Sequence, residues 1–139
     1  MAVNTQFAIA VHIMAGLGYR GGRDATSGEL AMSVNTSPSF VRRVLAKLSK
    51  AGLIRTVTGK AGACWLARDA KKISLLDIYQ AVGAPKAFAI HTYAEQKQCP
   101  VSCQIKSSLE QALKKTQKAM EESLRQISLA EILCGMKTK

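Results

Sequence analysis

The chain has 139 residues, with 20 Lys and Arg against 9 Asp and Glu, for a formal net charge of +11. Hydrophobic residues make up 47% of it, enough for one domain with a true core. No apolar run approaches the roughly 20 residues of a membrane span, and aromatic residues, at 5%, are too few for the stacking platforms of a single-strand binder. A cationic excess of this size points to a polyanionic partner.

In chain order, Thr5 to Gly18 reads as a helix, with Phe7, Val11, Met14 and Ala15 on one stripe and Ile9 and Ile13 widening it. Asn4 and His12 interrupt its apolar run and no basic segment precedes it, so it is expected to be a core helix, not a secretion signal; the expected compartment is the cytoplasm. The glycines from Gly16 to Gly22 end it. Thr26 or Ser27 can cap a short second helix, with Glu29 in its first turn and Leu30, Ala31 and Val34 inward. After a break at Asn35 to Ser37, Pro38 suits the first turn of a third helix. Val41, Val44, Leu45 and Leu48 give it a buried stripe at i, i+3, i+4 and i+7. At about 100° per residue, Ser39, Arg43, Ala46 and Lys50 fall opposite, flanked by Arg42 and Lys47. Gly52 is a natural stop.

Leu53 to Val57 and Cys64 to Ala67 have strand character, joined by a turn from Gly59 to Gly62. Ile73 to Val82 is another amphipathic helix, ended by Gly83 and Pro85, and Lys86 to Gln98 has no clear period. Cys99 and Pro100 look like the N-cap and first position of a helix of roughly 30 residues, about 45 Å long and reaching Leu133. Ile105, Leu109, Leu113, Thr116, Met120, Leu124 and Ile127 form its seam. A small core cannot cover so long a seam, and a second copy of the chain is the simplest cover.

Two helices joined by a tight turn and followed by a hairpin make a winged helix-turn-helix, whose second helix enters the major groove. The expected fold is mainly α with a small β-hairpin wing: residues 1–83 as the DNA-binding domain, residues 84–139 as a linker and long dimerisation helix. The expected DNA-binding residues are Ser37, Ser39, Arg42 and Arg43 at the probing end of the helix, Lys47 further along, and Arg55 and Lys60 on the wing. Arg can bridge guanine O6 and N7, and Ser can reach a phosphate or a base. A homodimer would read a pseudo-palindromic operator in double-stranded DNA. Taken singly, each charge is also compatible with an ordinary solvated face; the order of helix, turn, helix, glycine and hairpin is what selects DNA. No nucleophile–base pair and no phosphate-cradling glycine loop is visible, so no catalysis is expected.

Of the four cysteines, Cys99 and Cys103 lie four residues apart at the start of the long helix, on one face, with His91 just before them. Two readings stay open. Cys99, at a helix N-terminus, could be an oxidant-reactive thiol that Cys103 resolves, with His91 as a companion or effector contact; or both are small packing residues. Cys64 and Cys134 read as structural. No metal ligand set is expected, since a closed zinc site wants four ligands.

The stretches "SPSFVRRVLAKLSKAGLI", "GKAGACWLAR", "ISLLDIYQAVGAP", "FAIH" and "CPVSCQI", with the long C-terminal helix, together resemble the Rrf-two family of bacterial regulators, which includes IscR, NsrR and CymR. The resemblance covers nearly the whole chain and is strongest to its YwnA-like branch, with a similar VRR and cysteine–proline turn. It implies a homodimeric winged-helix transcription regulator, often a repressor, whose long helix crosses between subunits. The chain departs from the family at the wing, where Ala63 and Cys64 follow Gly62 in place of a second glycine and an aromatic, and at Ser102, where glycine is common. Cluster-binding relatives carry three cysteines near the long helix; here that region supplies two, so no iron–sulfur cofactor is expected. A protein-interaction module acting through the long helix, or a metal-binding regulator, are the alternatives.

Overall fold

The structure is a computed structural model that describes residues 5–57 and 62–136. Lys60, expected on the wing, lies outside the described residues. Helix α1 (Gln6–Tyr19) buries Ala10, Ile13, Met14, Ala15 and Leu17. Met14 and Ala15 of the expected stripe, and Ile13 beside it, are thus buried, while Phe7 and Val11 pack against the core only partly buried. A helix apolar nearly all round offers periodicity no single face to select. At Gly18 a Cβ would stand 2.6 Å from Leu133 Cδ1, so the missing side chain lets a later helix approach closely.

Strand β1 (Ala25–Thr26) leads directly into α2 (Ser27–Val34). Thr26 is the N-cap, its hydroxyl accepting from Glu29 N–H at 3.1 Å. Asn35 ends α2 in the left-handed region at φ 62°, a conformation Asn tolerates better than most residues. Helix α3 (Pro38–Lys50) buries Val41, Val44, Leu45 and Leu48, the four residues its sequence period selects. Strands β2 (Ile54–Thr56) and β3 (Ala63–Leu66) pair antiparallel with Arg55 opposite Trp65. Strand β1 adds to the other edge of β3, so the sheet has three strands in the order β1-β3-β2. Strand β1, at two residues, is too short to show an alternation. Cys64 sits at the centre of this sheet, fully buried, its thiol donating to the Ala25 carbonyl at 3.3 Å.

A 3₁₀ turn at Ala70–Lys72 precedes α4 (Leu75–Ala81). This helix starts later than Ile73 because Ser74 and Asp77 form a capping box, at 3.0 and 2.9 Å. Helix α5 (Pro100–Gln126) then runs for 27 residues without one buried side chain. It does not continue to Leu133. The chain breaks at Ile127–Ser128 and restarts as α6 (Leu129–Met136). Two backbone bonds account for the break: Leu75 N–H to Ile127 O and Leu129 N–H to Ile73 O, both 2.8 Å. Ser128 also caps α6, its hydroxyl accepting from Glu131 N–H at 3.1 Å.

The described chain forms two compact units, one holding residues up to Pro85 and again from Leu124, the other residues 86–123. Leu129 is fully buried and Leu133 nearly so, in the same core as α1 and α3. Among the described residues no helix is long and apolar enough to cross a membrane. Leu129→Ala should lower the unfolding free energy by about 2–5 kcal/mol, as emptying a closed leucine site does. Urea unfolding followed by circular dichroism measures it.

Candidate nucleic-acid interface

The candidate interface is built on α3. Its inner stripe is closed on the core, which fixes the rotation of the helix about its own axis. Ser39, Arg42, Arg43, Ala46, Lys47 and Lys50 are consequently all exposed. Ser37 is the N-cap: its hydroxyl accepts from Phe40 N–H at 3.2 Å and lies 3.4 Å from the Ser39 hydroxyl. Its first task is thus to hold the end of the helix, and Ser39 is the freer hydroxyl. Pro38 occupies the first turn, where its missing N–H leaves no bond unmade.

The charge on this surface is uncompensated. Two ion pairs lie elsewhere in the same unit, Arg20–Glu29 at 2.7 Å and a long Arg68–Asp77 contact at 3.9 Å. Arg42, Arg43, Lys47, Lys50 and Arg55 take part in neither. Arg43 alone has an intramolecular seat, its Cζ 5.4 Å from the centre of the Phe40 ring. Lys47 and Lys50 lie in the last turn, where a positive charge also suits the helix dipole. Arg55 is exposed on β2, an edge strand of the sheet. Phe40 was not among the residues selected from sequence, although its position three before Arg43 is the spacing that brings two helical side chains together.

Residues 86–123 hold the second group. Cys99 is indeed at the head of α5, and Ser102 N–H donates to its sulfur at 3.4 Å. Cys103 has the opposite role, its thiol donating to Gln96 O at 3.5 Å. Ser102 also takes Gln96 N–H on its hydroxyl at 2.9 Å and the Tyr93 hydroxyl on its carbonyl at 2.6 Å. His91 stacks on Tyr93 with ring centres 4.8 Å apart and makes no hydrogen bond to either cysteine. Sequence reading found both thiols but not the Tyr93–Gln96–Ser102 frame, which depends on an irregular loop. In the same unit, Lys86, Phe88, Ile90, Lys106, Leu113 and Lys114 line a groove of about 680 Å³.

Cys134 is exposed on α6, in the other unit. Burial pushes the Cys64 thiol up from 9.0 to about 11, with nearby Arg20 opposing the rise. Among the described residues no three His, Cys, Asp or Glu side chains gather to hold a metal. Two thiols at the head of α5 fall short of the ligation of an iron–sulfur cluster, so the donor set does not fit one.

The model of the Rrf2 (Rrf-two) family, described as an iron-dependent transcriptional regulator, matches residues 3–135. YwnA of Bacillus subtilis strain 168, provisionally named an HTH-type transcriptional regulator, is 36% identical over 133 residues, covering 94% of this chain and 96% of YwnA. A crystal structure provisionally described as a DNA binding protein is 32% identical with a TM-score of 0.72, covering 92% of this chain and 98% of that one. IscR of T. potens is 25% identical with a TM-score of 0.66, covering 98% of this chain and 88% of its own. The winged helix-turn-helix arrangement is thus shared with known regulators.

The thiols should separate by reactivity. Iodoacetamide at pH 8 should label Cys99, Cys103 and Cys134 in the folded protein and leave Cys64 unlabelled until denaturant is added. Peptide mass spectrometry reads the four sites independently.

Proposed function

The chain belongs to the Rrf2 family of transcription regulators, and on that premise we propose that it is a homodimeric, sequence-specific repressor of double-stranded DNA. It is a regulator and not an enzyme, as its family and relatives are. The observation that carries the DNA reading is the outward face of α3: four cations, none in an ion pair among the described residues, on a helix whose other face is closed on the core. In this reading Ser39, Arg42 and Arg43 meet base edges and nearby phosphates, while Lys47 and Lys50 sit along the phosphate track. Ser37 holds the helix end. Arg55 on β2, and Lys60 in the expected wing turn outside the described residues, are proposed to contact the neighbouring backbone. Repression is supported by the family resemblance, and the proposed place of action is the cytoplasm, beside the DNA.

Dimerisation is supported by α5. Val101, Ile105 and Leu109, at 67%, 43% and 38% exposure, form one stripe on a helix with no buried residue. A soluble chain that leaves such a stripe wet has an apolar surface suited to a second copy. In the proposed division of labour, the unit containing α3 reads DNA and the exposed length of α5 pairs the subunits, so that two α3 helices face a pseudo-palindromic operator.

The signal we propose is oxidation at Cys99. Its sulfur accepts the Ser102 N–H while the Cys103 thiol donates to Gln96 O, an arrangement that suits Cys99 as the attacking sulfur. Attack on a peroxide breaks the O–O bond, leaving Cys99 as sulfenic acid and releasing an alcohol or water. Cys103 then attacks that sulfur, the disulfide forms and water departs. The groove beside Phe88 is the candidate place for a small effector.

Genomic fragments selected by the protein supply the operator, and gel shifts against a scrambled duplex test the reading. Arg43→Ala should weaken operator binding by about 1–3 kcal/mol. Equal affinity for the scrambled duplex would refute sequence-specific reading. Ile105→Glu with Leu109→Glu should convert the dimer to a monomer by light scattering, and the monomer should lose affinity for a two-half-site operator. Peroxide should join Cys99 to Cys103 and change operator affinity; Cys99→Ser should abolish both effects.

A further inference from the structure

We propose that Phe40 is a specificity-determining positioning residue: its ring seats the Arg43 guanidinium so that this arginine, and not its neighbour Arg42, reads a base. The inference rests on the reading above that Arg43 contacts DNA. Phe40 and Arg43 are three residues apart on α3, and the Arg43 Cζ lies 5.4 Å from the ring centre. The ring is itself held. Phe40 N–H is bound by the Ser37 hydroxyl at 3.2 Å, and the side chain is half-buried against the core beneath α3. A partly buried aromatic has few rotamers, so the platform is fixed before any ligand arrives.

The chemistry of the seat matters. A carboxylate partner would have occupied the N–H donors of Arg43 and cancelled its charge. An aromatic ring does neither: it attracts the cation through its face and accepts none of those donors in ordinary hydrogen bonds. Arg43 therefore keeps its fork of donors while losing much of its freedom to wander. Bidentate recognition of a base edge depends on that restriction, because a donor pair already in place loses less entropy on binding. Arg42 is exposed on the flank of the same helix with no ring beneath it, which suits a mobile phosphate contact. Two adjacent arginines of equal charge are thus given different work by one aromatic residue.

The test compares the full-length protein with Phe40→Leu, Phe40→Tyr, Arg43→Ala and the double variant Phe40→Leu/Arg43→Ala, each titrated with the selected operator and a scrambled duplex at several salt concentrations. Phe40→Leu should reduce the operator-to-scrambled affinity ratio about three- to tenfold, with scrambled binding and the salt slope unchanged. Phe40→Tyr, which keeps the ring, should retain the ratio. The double variant should be no worse than Arg43→Ala alone, since both changes remove one interaction. A urea midpoint for each variant separates loss of fold from loss of reading, and Phe40→Met replaces Phe40→Leu if the latter unfolds. If Arg43→Ala lowers the ratio while a folded Phe40→Leu or Phe40→Met leaves it intact, the positioning role is wrong and the DNA reading survives. If Arg43→Ala itself changes nothing, the assignment of Arg43 to DNA has failed, and the role of Phe40 falls with it.

Discussion

Burial of four side chains, Val41, Val44, Leu45 and Leu48, is the constraint on which the rest depends. Each contributes on the order of 1.5–3 kcal/mol when removed from water, and together they fix the rotation of α3. A helix with one face closed has no choice about the other. The exposed cations are therefore held outward by apolar packing and not by any attraction of their own. The cap at Ser37, the proline after it and the glycine past the far end set where this rotation begins and stops. Local chemistry and tertiary burial agree along the whole helix, and such agreement across levels marks an element whose sequence specifies its geometry well.

The C-terminal part obeys a different rule. Helix α5 has no fully buried side chain, only Leu124 near its end packing partly buried against the core, whereas α6, a few residues later, places Leu129 and Leu133 in that core. The change is brought about by the short backbone pairing of Ile73 to Leu75 with Ile127 to Leu129. Amides that pair with another segment cannot also continue a helical ladder, so the helix stops there whatever its side chains prefer. The same segment that buries Ile73 thus decides where α5 ends.

Elements with an amphipathic period and a recognisable cap were legible in the sequence. Helix α3, the hairpin strands and the cysteine at the head of α5 fall where side-chain spacing, proline and glycine put them. The buried face of α1 was legible in part: Met14, Ala15 and Ile13 were on it, but the helix is apolar nearly all round and its period did not single out Ala10 and Leu17. Strand β1 carried no pattern at two residues. The break before α6 did leave a trace, in the Ser128-x-x-Glu131 spacing of a helix start, but an uninterrupted apolar seam outweighed it. The frame around Cys99 and the seat of Arg43 on Phe40 are matters of side-chain contact, which spacing can suggest and only coordinates display.

The placement of Leu129 beneath α1 bears on how the molecule is made. A ribosome delivers the wing and α3 long before it delivers α6, so the apolar hollow that Leu129 and Leu133 fill stays open during most of synthesis. The core beneath α1 and α3 can therefore be completed only once the tail has emerged. A product cut short ahead of residue 129 would carry every proposed DNA-facing side chain on a head left unfinished, and would be poorly able to compete for the sites of the intact protein.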